Sequence, residues 1–323
     1  MKNHFDVLII GGGPIGLACG IQAQQAGLTH AIFEKGPLVN SLYNYPINMT
    51  FFSSSERLEI GEIPFVTTLP KPKRAEALEY YRRIDGKFNL NTYLFEEVIE
   101  VTKGDPMFHV TTTKSNYSAS SVIVATGFYD VPMKLNIPGE ELPKVTHYYN
   151  DPHYYANQHV VVIGASNSSV DAALETFRKG AKVTMVVRGH EIGPRVKYWV
   201  RPDIENRIKA GEINIFYNSR LTSISEQTVS IQTPTGLEVI QNDFVLALTG
   251  YKPNFDFLRR VGINIPDQFP MIPEHNPQTM ETNIPNLYLA GVVCGGLNTH
   301  LWFIENSRIH AHIIIEQIME KRN

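Results

Sequence analysis

Two turns in this sequence carry the residues needed to hold a diphosphate. The first is Gly11-Gly12-Gly13-Pro14-Ile15-Gly16, in which Gly11, Gly13 and Gly16 satisfy Gly-x-Gly-x-x-Gly. The first glycine of such a turn permits the bend, the second lets a pyrophosphate approach the backbone, and the third lets helix and strand pack closely. Backbone N–H groups and the positive end of the helix then bind the phosphates. Glu34 closes the next apolar run, where a carboxylate can accept from ribose hydroxyls. The second turn, Gly164-Ala165-Ser166-Asn167-Ser168-Ser169, keeps the first glycine and puts Ser166 and Ser169 at the second and third positions. Serine is small enough for both tasks, and its hydroxyl can add a bond to phosphate. At the end of the strand that follows, Arg188 replaces the expected acid. An arginine there can grip a 2′-phosphate bidentately, whereas a carboxylate would repel it. Arg195 and Lys197 follow and are placed to reinforce the site. The first turn therefore suits an unphosphorylated ribose and the second a phosphorylated one, the division needed by a protein that holds FAD and NADPH.

The elements that position these turns repeat. Residues 5–34 and 159–188 each read as strand, glycine-containing turn, helix, strand, with a glycine (Gly27, Gly180) ending each helix. Strands alternating with helices imply parallel sheets covered on both faces. Between the units, Glu97–Lys103 and Phe108–Thr113 suit a small antiparallel meander. Pro132, Pro138-Gly139 and Pro152 then crowd a loop at which the chain can cross between domains. Further strands are expected at Ile213–Tyr217, Leu221–Ile224 and Thr228–Thr233. The tail reads as a strand at Asn286–Ala290, a glycine turn, and a long helix over about residues 299–321. Two strands end alike, Val122–Gly127 in Ala-Thr-Gly and Leu287–Gly291 in Ala-Gly. This places Thr126, Gly127, Gly291 and Val292 beside the first turn. It also makes the second nucleotide domain an insertion: residues 1–150 and 247–323 form an FAD domain, and 151–246 an NADPH domain. The expected fold class is α/β, with two Rossmann-like, three-layer ββα domains.

Composition narrows the function. A chain of 323 residues with 43% hydrophobic and 19% charged residues suits two globular domains. A net charge of −3 argues against a nucleic-acid partner, which would need a basic footprint. No apolar run is long enough to span a bilayer, and no basic-then-apolar secretion signal precedes the first strand. A cytoplasmic location is the default expectation. Only two cysteines occur, Cys19 and Cys294, so there is no Cys-x-x-Cys and no Cys/His metal cluster. Cys19 is expected to be buried in the first helix. Cys294, near the start of the last helix, is the candidate redox thiol, because a helix N-terminus can lower a thiol pKa.

Read in order, Gly11–Leu17, Glu34-Lys35, Ala125-Thr126-Gly127, Gly164–Ala173, Ala247–Asn254 and Tyr288–Val292 resemble the low-molecular-weight thioredoxin reductase-like flavoproteins over the whole chain. Within them the chain resembles the bacillithiol-disulfide reductases, the YpdA family. The stretches that carry this likeness are Leu42–Pro46, Thr50–Ser55, Leu142–Val145 and Phe303–Asn306. The resemblance implies FAD, NADPH, a homodimer and a low-molecular-weight disulfide as electron acceptor. It adds Pro14, Ile15, Lys35, Tyr45, Phe52 and Val98 to the FAD contacts, and Asn167, Ser168 and Gly250 to those for NADPH. Two departures matter. Thioredoxin reductases carry a redox Cys-x-x-Cys in the NADPH domain, and none stands near Asn167. Many YpdA members carry a cysteine where Ile15 stands here, and isoleucine can form no mixed disulfide. Other acceptors, a ferredoxin, flavodoxin or quinone, stay open. So does a flavin monooxygenase, although the Phe-x-Gly-x-x-x-His core of that class is missing. A non-catalytic NADPH sensor is the reading from outside the enzymes. His147 and His300 read as ordinary surface or core histidines rather than acids at a flavin.

Overall fold

The computed structural model describes residues 3–322. They fall into two compact units. Unit 1 takes residues up to 44, then 49–131 and from 251 onward, and unit 2 takes residues 45–48 and 132–250.

Unit 1 opens with β1 (His4–Ile10), α1 (Pro14–Gln25) and β2 (His30–Glu34), then α2 (Arg74–Phe88), β3 (Thr92–Leu94), β4 (Val98–Lys103), β5 (Phe108–Thr112) and β6 (Asn116–Val124). The sheet order is β3-β2-β1-β6-β5-β4. β1 is parallel to β2 and to β6, with Ile10 level with Phe33 and with Val124. The expected meander is present: β4, β5 and the first half of β6 are antiparallel. β2 is buried along its whole length, as a parallel strand covered on both faces requires.

In unit 2 the chain forms β7 (Val145–Thr146), β8 (His159–Ile163), α3 (Asn167–Phe177), β9 (Lys182–Val186), α4 (Arg201–Lys209) and β10 (Asn214–Phe216). The hairpin strands β11 (Arg220–Ile224), β12 (Thr228–Thr233) and β13 (Gly236–Gln241) follow, and β14 (Phe244–Ala247) completes it. The parallel sheet has the order β10-β9-β8-β14-β7, and β11-β12-β13 is a separate antiparallel sheet. Alternation along β8 builds three layers. Val160 and Val162 pack with Val170, Leu174 and Ile204 of the helices, while Val161 and Ile163 pack with Leu221, Val229 and Ile231 of the antiparallel sheet.

The chain returns to unit 1 with α5 (Phe255–Val261), β15 (Leu287–Leu289) and α6 (Ile309–Arg322). β15 joins the first sheet parallel to the end of β6, pairing Leu289 with Val124. The long helix expected over about residues 299–321 is two pieces, a short helix at Ile304–Ser307 followed by α6 from Ile309. Asn306 caps the start of the short helix: its side chain accepts from the Phe303 N–H at 2.7 Å and donates to the Leu301 carbonyl at 2.9 Å, satisfying backbone groups just before the first turn.

The tightest junction lies between β1 and α1. A Cβ on Gly16 would stand 1.9 Å from the Gly11 carbonyl oxygen, whereas one on Gly13 would meet nothing within 4 Å. Urea denaturation should therefore separate the two positions. Gly16→Ala is expected to lose about 3 kcal/mol or more, the upper end of overpacking costs. Gly13→Ala is expected to lose under about 1 kcal/mol, the cost of a poorer N-cap residue.

Candidate cofactor sites

Gly11 has φ +108°, a left-handed conformation that admits little besides glycine. A Cβ there would lie 2.5 Å from the Ala125 carbonyl oxygen, so the turn has room for backbone only. At the end of β2, Glu34 is 7% exposed. Its Oε2 accepts from the Gly12 N–H at 2.9 Å and its Oε1 from the Gly36 N–H at 3.0 Å. Burial pushes its carboxyl above the usual range, while these two bonds pull it back. Each oxygen keeps a lone pair that can accept from a ribose hydroxyl.

Gly11, Glu34, Lys35, Val98 and Thr126 line one cleft of about 220 Å³. The Thr126 hydroxyl is buried without a hydrogen-bond partner, an orphan that a bound ligand would satisfy. Gly13 caps α1 with no side-chain hydrogen bond, Pro14 opens the helix, and the space above Gly13 is open. Free helix donors, an open approach and a clamped carboxylate fit an adenosine diphosphate. Close by, a Cβ on Gly291 would stand 3.3 Å from Ile15 Cγ1, and one on Gly127 would stand 3.8 Å from Val292 Cγ2. Ile15, Gly127, Gly291 and Val292 thus gather at one place. Lys35 pairs with Asp130 at 2.9 Å.

Sequence reasoning missed several walls of the cleft. Asn40, Ser41 and Asp130 line it, as do Asn254, Phe257 and Arg260 of the α5 region. No motif marks these last three, which arrive more than two hundred residues after the turn. Two expected contacts stand apart from the cleft. Tyr45 belongs to unit 2. Phe52 is largely exposed, with the Lys71 ammonium 4.9 Å from its ring centre.

The second turn repeats the strained first glycine: Gly164 has φ +126°, and a Cβ would lie 2.7 Å from the Leu248 carbonyl oxygen. Ser169 is fully buried, and its hydroxyl donates to the Ser166 carbonyl at 2.9 Å. That hydroxyl is used inside the turn, so Ser166 and Ser168, both exposed, are the serines that can face a phosphate. Asn167 braces the next loop, donating to the Arg195 carbonyl at 3.1 Å and accepting from the Lys197 N–H at 2.8 Å. The Lys197 ammonium is buried and pairs with Asp171 at 2.6 Å, a structural bond within the unit. Arg188 and Arg195 are exposed, and their side chains make no hydrogen bond or ion pair among the described residues. Gly250 has φ +100°, with open space around it.

The thiols run against the expectation for Cys294. It sits in a short 3-10 segment, Gly291–Gly295, well before α6, and is 1% exposed. Burial pushes its pKa up, the opposite of what a helix N-terminus would do. Cys19 is completely buried in α1, and burial pushes its thiol up to about 12. No group of His, Cys, Asp or Glu among the described residues could hold a metal ion.

The open space at Gly13 makes a direct test possible. Gly13→Val keeps an ordinary backbone (φ −75°), and its Cβ would meet no protein atom within 4 Å. Its branched side chain would fill the diphosphate position. The purified variant is expected to be folded by circular dichroism and at least about tenfold weaker for FAD, or 1.4 kcal/mol. Full flavin absorbance in this variant would remove the turn from the site.

Comparison with known proteins places these features. The model of the pyridine nucleotide-disulphide oxidoreductase family matches residues 8–291. Bacilliredoxin reductase Bdr of Bacillus subtilis (strain 168) is 44% identical over 318 residues, 98% of each chain. Among solved structures, bacillithiol disulfide reductase Bdr (YpdA) from Bacillus cereus is 43% identical, with a TM-score of 0.96 over 98% of this chain and 99% of that one. Thioredoxin reductase from T. acidophilum shares the fold, with a TM-score of 0.78 at 19% identity over 99% of both chains. No helix among the described residues is long and apolar enough to cross a membrane. With a family match over most of its length and a relative of this identity end to end, the chain is an oxidoreductase that uses FAD and NADPH, and it belongs to the pyridine nucleotide-disulphide oxidoreductase family.

Proposed function

We propose that the protein passes two electrons from NADPH through FAD to a low-molecular-weight disulfide, with bacillithiol disulfide as the leading substrate. The overall change is NADPH, a proton and one disulfide to NADP⁺ and two thiols. Bound FAD supplies hydride acceptance from the nicotinamide and two-electron release to the acceptor. The chain's own residues bind and orient. In unit 1, Glu34 takes the adenosine ribose, Gly13 and the first turn of α1 take the diphosphate, and Thr126 offers its unpaired hydroxyl. In unit 2, the Gly164 turn takes the NADPH diphosphate, with Ser166 and Ser168 facing it, while Arg188 and Arg195 take the 2′-phosphate. Lys197 supports that loop from inside. A homodimer in the cytoplasm completes the reading. The observation that carries it is the contrast between Glu34, the last residue of β2, and Arg188, two residues beyond the end of β9, together with end-to-end likeness to a bacilliredoxin reductase.

Neither cysteine is accessible, and Ile15 offers no thiol. The acceptor therefore takes its electrons without a mixed disulfide to the protein. The same observation favours a second reading, in which a quinone or small redox protein is the acceptor. Turnover with NADPH and bacillithiol disulfide, other disulfides, ferredoxin, flavodoxin and quinones decides between them. A rate confined to the last three would overturn the disulfide assignment.

Two further outcomes are expected. Arg188→Ala weakens NADPH binding by about 1.5–3 kcal/mol, the range for a hydrogen bond to a charged group, and leaves NADH nearly unchanged. Equal losses for both coenzymes would rule out a 2′-phosphate contact. In the Cys19→Ala, Cys294→Ala double variant, NADPH-driven flavin bleaching and quinone turnover stay within about threefold of wild type, under 1 kcal/mol of barrier. Loss of disulfide reduction in Cys294→Ala alone would make that thiol the redox group after all.

A further inference from the structure

The turn between β15 and α6 is held by a histidine that no motif singles out. Gly291 has φ +85°, and its N–H donates to Nδ1 of His310 across 3.1 Å. His310 lies at the start of α6 and is 1% exposed. Its ring meets the Trp302 indole nearly perpendicularly, with centroids 4.5 Å apart and planes at 77°. A ring nitrogen that accepts a hydrogen bond carries no proton, so the imidazole is neutral with its hydrogen on Nε2. Burial, aided by His275, pushes its pKa down to about 4, which keeps that form in place across the neutral range. Cys294 Sγ lies 3.9 Å from the same nitrogen.

What the bond fixes is the part of unit 1 where the expected flavin contacts gather. Gly291 packs on Ile15, and Val292 is the nearest neighbour of the space beside Gly127. A buried N–H without an acceptor is costly, so loss of the His310 acceptor would turn the Gly291 peptide to find another. We infer that His310 is a positioning residue for the flavin. By accepting the Gly291 N–H it sets the Gly291-Val292 turn against Ile15 and Gly127, and through that turn the surface offered to the cofactor. The inference rests on the placement of FAD in unit 1.

The experiment compares purified holoprotein of wild type and three variants, reading the visible flavin spectrum and FAD release on dilution by flavin fluorescence. His310→Phe keeps a ring against Trp302 and removes the acceptor. His310→Asn puts an amide oxygen at the Nδ1 position, and His310→Gln puts it about one bond further out. FAD is expected to dissociate at least about tenfold more readily from His310→Phe and His310→Gln, 1.4 kcal/mol in binding, with a shifted visible band. His310→Asn is expected to stay within about threefold of wild type with an unshifted band. If His310→Phe does not fold, the Asn and Gln pair carries the comparison. Wild-type spectrum and FAD retention in His310→Gln, or an Asn variant as weak as Gln, would overturn the positioning role. A wild-type protein that holds no FAD would overturn the cofactor placement instead.

Discussion

Everything at the first site follows from one steric limit, the 1.9 Å that a Cβ on Gly16 would leave to the Gly11 carbonyl. Because nothing fits there, the first turn of α1 lies directly on the end of β1, and its unpaired N–H groups face the space above Gly13. Because Gly11 also has no room for a side chain against Ala125, β1 and β6 end side by side, and Thr126 comes to the same cleft. Glu34 then ties the neighbouring strand to the turn through the Gly12 and Gly36 N–H groups. The carboxylate is held by the same backbone that would hold the phosphates. Its geometry is thus fixed before any ligand arrives, which lowers the ordering cost of binding.

Unit 2 solves the same problem with a looser junction. Ser169 occupies the position of the close-packing glycine, and its hydroxyl finds an acceptor one turn back at Ser166. A polar side chain is accommodated there because it is satisfied on the spot. The cations divide in the same way. Lys197 is committed to Asp171 inside the unit, whereas Arg188 and Arg195 remain exposed. Burial, rather than residue type, sorts which positive charges face a nucleotide.

Much of the architecture is legible in the sequence, because strands covered on both faces read as apolar runs and glycine turns punctuate them. The parallel sheets, the meander and the return of the tail beside β6 all follow from such local signals. Glu34 and Arg188 are readable because their spacing from a turn places them where the second strand of each unit gives way to the next loop, although β9 stops two residues before Arg188. What escapes is tertiary. The Lys197–Asp171 pair joins residues 26 apart on different elements. Asn254, Phe257 and Arg260 reach the cleft from the far end of the chain, with no pattern to announce it. The helical tail starts at Ile304 because Asn306 caps it there, bonding two backbone groups just upstream, a choice composition does not reveal. Cys294 is misread because it is buried within its own 3-10 segment, Gly291–Gly295, which no local pattern announces.

The sealed thiols have a bearing on durability. Oxidation to sulfenic and higher acids, and alkylation by electrophiles, both need a thiolate that solvent can reach. With Cys19 and Cys294 buried and their thiols held protonated, neither cysteine offers oxidants a reachable thiolate. A compound seeking to block this protein by capturing a cysteine would find none to capture and would have to compete for a nucleotide site instead.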